Sequence, residues 1–181
     1  MIKFFFITVF FIFSLHADIT NQMLQLYQKG SYSQACALGV QNFKLIQLNE
    51  ASTSLYAFSC LNADQIDRLS TPIKTLTQSP EARANASYFS LLILQKKLLN
   101  QSLYDNYPLK QLKLPVSSHL LSRVFYFYCK NPQTSNPVKE YTDSGNPRQS
   151  YKLYTIQVDM IKTFAIDEYY DKILTKHHLY Q

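Results

Sequence analysis

The side chains able to do chemistry in this 181-residue sequence are few: three histidines beyond residue 17, three cysteines and several grouped carboxylates. A general base or a nucleophile needs a partner that orients it, and a metal needs ligands that converge. His119 opens an expected helix, where a boundary histidine is far commoner than a catalytic one. His177 and His178 are neighbours near the C-terminus. Side chains one residue apart on a helix diverge, so the pair reads as a solvated tail rather than a metal site. Asp64 and Asp67 fall at an expected turn, while Asp167, Glu168 and Asp171 alternate with Lys172 on an expected final helix, the pattern of caps and surface pairs. Cys129 beside Lys130 is a thiol in basic company with no partner motif. The sequence contains neither GxSxG nor HExxH, and its three glycines are too scattered to cradle a phosphate. These residues point away from an enzyme and require no cofactor and no metal.

The elements that must position them begin after a leader. "MIKFFFITVFFIFSLHA" has Lys3 as a short positive start, an apolar run from Phe4 to Leu15, and the small residue Ala17 at its end. That is the layout of a secretory signal peptide over residues 1–17, cleaved after Ala17. The run is shorter than the roughly 20 apolar residues of a membrane span, so membrane contact is limited to the transient leader. The expected location is the periplasm or the exterior, which makes nucleic acid a poor partner. Net charge is +6, or +5 without Lys3. Seven basic residues between Ala82 and Lys130 (Arg83, Lys96, Lys97, Lys110, Lys113, Arg123, Lys130) face Asp105 alone. Such a basic body is either a solvated face or a docking surface for an acidic partner.

Scarce glycine and abundant Leu, Ala, Gln and Lys predict an all-α chain. A first helix runs to Lys29, Gly30 ends it, and Ser31 caps a second that reaches about Phe43. Asn49-Glu50 opens a third, and a fourth lies between Asp64 and Thr77 around Pro72. "SPEARANASYFSLLILQKKLLN" has Ser79 as its cap and Pro80 at the first helical position. A short helix is expected over 102–107, then an extended link held by Pro108 and Pro115, then a helix capped by Ser117 or Ser118. Residues 131–150, with three prolines and a glycine, read as a linker. Residues 151–181 place Val158, Ile161, Ala165, Ile166, Tyr169 and Ile173 at the spacing of a long amphipathic helix, although "YKLYTIQV" leans toward a strand.

The turn Gly30–Ala35 has counterparts at Asp64–Leu69 and Leu98–Leu103, a step of thirty-four residues. That period marks stacked helical repeats. "LYQKGSYSQA" resembles the inter-helix turn of a tetratricopeptide repeat, in which a glycine, a tyrosine and an alanine recur at this spacing. Ala57 and Leu91 fall at the family's small first-helix position and Ile73 at its large second-helix position; Gly39 departs from the latter. The resemblance covers about residues 19–107. It implies a short right-handed α-α solenoid of about three helical hairpins over 18–130, with the 151–181 helix packing on it as a cap. It also implies a concave groove formed by Leu24, Tyr27, Ser54, Phe58, Leu61, Tyr88, Leu92, Gln95 and Lys96, with Phe58, Leu61 and Leu92 leaning toward the core. In the same frame Cys36 and Cys60 lie on helices that pack together, and in an oxidising compartment a bond between them is expected to contribute about 3 kcal/mol.

The function expected from these readings is an exported binding or assembly module of the cell envelope, gripping a protein or peptide partner through the groove, without catalysis. A helical carrier of a small apolar ligand is the alternative, and an extracytoplasmic enzyme with an unrecognised site is a third.

Overall fold

The computed structural model describes residues 18–110, 112–131 and 136–180. The expected leader lies outside the described residues. The chain divides into two compact units, Met1–Ser90 and Leu91–Gln181.

The first unit is helical: α1 (residues 18–28), α2 (Tyr32–Gln41), the single turn α3 (Phe43–Ile46), α4 (Glu50–Asn62) and the opening of α5 (Pro80–Asp105). Gly30 adopts φ +74, and the amides of Gly30 and Ser31 donate to the carbonyls of Tyr27 and Leu26 at 3.0 and 2.9 Å. The left-handed position both closes α1 and reverses the chain, which glycine does without steric cost. Ser31 precedes α2 but makes no side-chain cap bond. Asn49 does cap α4, accepting from the Ser52 amide at 2.9 Å.

Gly39 has a different task from Gly30. A Cβ there would stand 2.3 Å from Cδ2 of the buried Tyr56 ring, so bare backbone is what lets α2 lie on α4. Its departure from the repeat pattern follows from that contact. Cys36 and Cys60 are disulfide-bonded across the same pair of helices. Residues 64–77 form two 3-10 helices, Ile66–Ser70 and Pro72–Lys74, instead of the expected fourth helix. Asp64 enters at φ 60 and Pro72 lacks the donor a continuous helix needs. Glu50 then holds the chain that follows: its carboxylate accepts from the amides of Thr77, Gln78 and Ser79 at 2.9, 2.6 and 2.9 Å. Ser79 caps α5, accepting from the Ala82 amide at 3.0 Å.

The second unit corrects the all-α expectation. After the end of α5 and α6 (Leu120–Lys130), the chain forms β1 (Val138–Asp143), β2 (Asn146–Val158), β3 (Ile161–Tyr170) and β4 (Ile173–Tyr180). These make one antiparallel sheet in the order β1-β2-β3-β4. The fold is therefore mixed helix and sheet. It is not a solenoid of three hairpins, and no capping helix exists over 151–180. The strands also take up much of the expected 131–150 linker.

The physical reason lies in turns and periodicity. Asp159 (φ 54) sits between Val158 and Ile161, which pair directly, and Asp171 and Lys172 (φ 49 and 68) sit between the paired Tyr170 and Ile173. Two consecutive left-handed residues give the I′-type reversal that suits twisted strands. Between these breaks the buried Tyr151, Leu153, Phe164 and Ile166 alternate, with the pairs Leu153↔Ile166 and Ile166↔His178 on one face. Val, Ile, Thr, Tyr and Phe favour this pleated setting. Helical spacing of the same apolar residues was coincidental.

Helix α6 covers the inner face of the sheet. Phe127 stacks on Tyr141 and Tyr151 at 6.0 and 6.1 Å, and Arg123, one turn earlier, bonds both Asp143 and the Tyr151 hydroxyl. Among the described residues no helix is long and apolar enough to cross a membrane.

Candidate functional site

A concavity in the second unit lies between α6 and the strap that leads into it (residues 107–110 and 112–117). α5 ends at Asp105, ahead of Asn106 in the left-handed region (φ 56), so residues 102–105 of the expected separate short helix are its last turn. Ser102 fastens the start of the strap, with its Oγ donating to the Tyr107 carbonyl at 2.6 Å and lying 2.9 Å from the Tyr128 hydroxyl. Leu109 is fully buried. Gln95 fastens the far end, its Nε2 donating to the Pro115 carbonyl at 3.0 Å. The Ser117 amide then donates to Ser122 Oγ at 2.9 Å, and His119 caps α6 by accepting from the Leu121 amide at 3.2 Å. His119 thus takes the place of the expected Ser117 or Ser118 cap, at the helix boundary where the sequence reading put it.

Pinned at both ends, the strap stands off from α6 and leaves a groove of about 500 Å³ lined by Lys110, Leu112, Lys113, Leu114, Val116, Phe125, Tyr126, Cys129 and Lys130. Phe125 and Cys129, and likewise Tyr126 and Lys130, are one turn apart and share one side of α6. The floor is apolar and the rim carries three lysines. Lys130 lies 4.5 Å over the Tyr126 ring, and none of the three pairs with a carboxylate among the described residues. Leu112 and Val116 remain 38% and 51% exposed, so apolar surface is left to the solvent. Burial pushes the Cys129 thiol up to about 11, which keeps it protonated and unreactive at neutral pH. The arrangement can hold an apolar group and neutralise a negative charge beside it.

The residues carried over from the repeat resemblance are distributed differently. Leu24 is exposed on α1, and the Tyr27 hydroxyl accepts from Asn62 Nδ2 at 3.0 Å. Ser54 accepts from Asn85 Nδ2 at 3.2 Å, and Phe58 packs on Tyr88 and Phe89 at 6.4 and 5.0 Å. These five line neighbouring helices of the first unit. Leu61 and Leu92 are buried. Gln95 and Lys96 belong to the second unit and are buried there, Gln95 in holding the strap.

A second polar cluster lies on the sheet. His177 Nδ1 meets Asp167 Oδ1 at 2.6 Å, and Tyr154 donates to Asp167 Oδ2 at 3.2 Å. On the opposite face His178 Nε2 meets Glu168 Oε1 at 2.8 Å. Successive strand residues alternate faces, so the two histidines read as a solvated tail instead fasten β4 to β3 on both sides. The ring of His177 has no serine, threonine or cysteine hydrogen-bonded to it among the described residues, and no three His, Cys, Asp or Glu side chains converge there as metal ligands. Sequence reasoning missed both clusters, although the basic run from Ala82 to Lys130 did contain all three rim lysines.

No known protein family, curated protein or solved structure matches the chain.

Proposed function

We propose that this chain is an extracytoplasmic binding module, without catalysis, whose lysine-rimmed groove takes an acidic segment of a partner protein anchored by apolar side chains. The observation that supports it is the pairing of an apolar floor with Lys110, Lys113 and Lys130, none of them ion-paired among the described residues. Unneutralised cations beside solvent-exposed apolar surface favour a ligand that supplies both carboxylate and hydrocarbon. The Cys36–Cys60 bond suits an oxidising compartment, in keeping with the leader read in the sequence.

A labelled peptide of alternating glutamate and leucine, titrated into the protein, tests the reading. Affinity is expected to fall with rising salt and to drop more than tenfold in a Lys110→Glu/Lys113→Glu variant. Binding insensitive to both salt and substitution removes it. The groove volume also lies within the range of small-ligand pockets, about 300–1,000 Å³, which favours a fatty-acid-like anion as the second reading. A fatty acid that binds tightly and that the peptide fails to displace selects that alternative.

A further inference from the structure

The β2–β3 hairpin outreaches both of its neighbours. β1 pairs with β2 only as far as Tyr154, and β4 pairs with β3 only from Phe164, with Thr163 still buried and bonded to the Tyr180 carbonyl, so residues 157–162 project as a prong beyond both partner strands among the described residues. Its base is braced by the Tyr104 hydroxyl, which donates to the carbonyls of Ile156 and Thr163 at 2.7 Å each. Lys162 lies 5.6 Å over the same ring. The tip is Asp159-Met160-Ile161, with Met160 93% and Ile161 62% exposed. Asp159 pairs with no cation among the described residues.

A carboxylate beside two exposed aliphatic side chains is the chemical complement of three lysines around an apolar floor. Two such side chains are small enough for a groove of about 500 Å³. Tip and groove belong to the same unit, yet both stand open to solvent, so the prong does not fill the groove of its own chain.

We infer that the Asp159–Ile161 tip of one copy enters the lysine-rimmed groove of a second copy, so that the protein associates head to tail. This rests on the reading of the groove as a site for an acidic, apolar-anchored segment, and it names that segment. Donor and acceptor are different patches of the surface, so repetition builds a ring or an open row rather than a two-fold dimer. One hairpin tip in one groove is a small contact, of the weak and transient class. Association therefore depends on concentration, and salt weakens it.

Sedimentation of the intact protein over a concentration series tests the inference. Mean mass is expected to rise with concentration. The rise disappears in a Met160→Ser/Ile161→Ser variant and in the Lys110→Glu/Lys113→Glu variant, with unchanged far-UV circular dichroism showing that both still fold. Mixing the two variants restores a one-to-one pair and nothing larger, because the mixture holds one intact tip and one intact groove. A wild-type protein that stays monomeric throughout overturns the inference, as does association that persists in both variants or a mixture that stays monomeric. The glutamate–leucine peptide separates the two failures. If it binds and loses affinity in the lysine variant, the groove reading stands and only the second copy is removed as its occupant. If it does not bind either, both readings fall.

Discussion

In the helical unit, two elements are brought together by covalent and steric means: a disulfide joins α2 to α4, and a bare glycine lets the Tyr56 ring lie against helix backbone. In the sheet-bearing unit the same task falls to aromatic and charged side chains. Phe127 stacks on two tyrosines, Arg123 bridges Asp143 and Tyr151, Lys152 sits over Tyr169, and the two histidines hold two carboxylates. The first kind of closure depends on little besides redox state, whereas the second depends on pH and on burial. A chain that spends its bridging cysteines in one half must rely on side-chain contacts in the other.

The largest test of this contrast is Phe164→Ala. Phe164 is fully buried against Tyr180, and removing such a ring costs about 3–5 kcal/mol. Hydrogen exchange should lose protection across 138–180 and keep it across 18–90. Loss in both regions would mean that they share one cooperative transition. Next comes the Cys36→Ala/Cys60→Ala double variant, expected to cost about 3 kcal/mol, with lost protection confined to residues 18–90. Gly39→Ala is smaller, about 1–3 kcal/mol of overpacking, because its new methyl meets a ring that must shift. A thermal melt equal to wild type would show that α2 and α4 have room to separate.

The mildest test is acid. Hydrogen bonding by His178 holds Glu168 below the ordinary carboxylate range; the Gly145 amide, followed by Arg123, does so for Asp143, and Arg148 for Asp171. In the helical unit Glu50 is held low despite desolvation, which opposes the shift, by the amides of Gln78, Ser79 and Thr77. A lowered folded pKa contributes stability that is present above the unfolded pKa, near 4, and is lost as pH falls through the folded value. Three such groups in one unit against one in the other predict that near-UV signals of the sheet tyrosines fade first between pH 5 and 2. Earlier loss from the helical unit would reverse the contrast.

The helical unit was legible because its signals are local. Gly30, Asn49, Ser79 and Pro80 are punctuation that works within one turn, and the 34-residue echo placed Cys36 and Cys60 on helices that do lie side by side. The sheet was obscured because two of its three reversals, Asp159-Met160 and Asp171-Lys172, lack the glycine that announces a tight hairpin, and the third, Ser144-Gly145, lies among the prolines that read as a linker. Ala165 and Ile166, both buried, also blurred the alternation. The groove was half legible. Its lysines stood out as an excess of charge, but the far end of the strap is held by Gln95, whose partner Pro115 lies twenty residues away, and Ser102 also meets Tyr128 of α6 twenty-six residues on. No short window of sequence contains either contact.

The doublet His177-His178 facing Asp167-Glu168 carries one more consequence. A strand that slides by one position exchanges its two faces, and a slide by two keeps the faces but changes every neighbour. Either error separates both imidazoles from their acids at once, so correct alignment of the final strand is read twice, from above the sheet and from below. The four side chains act as a two-pin key, and a misaligned strand fits neither pin.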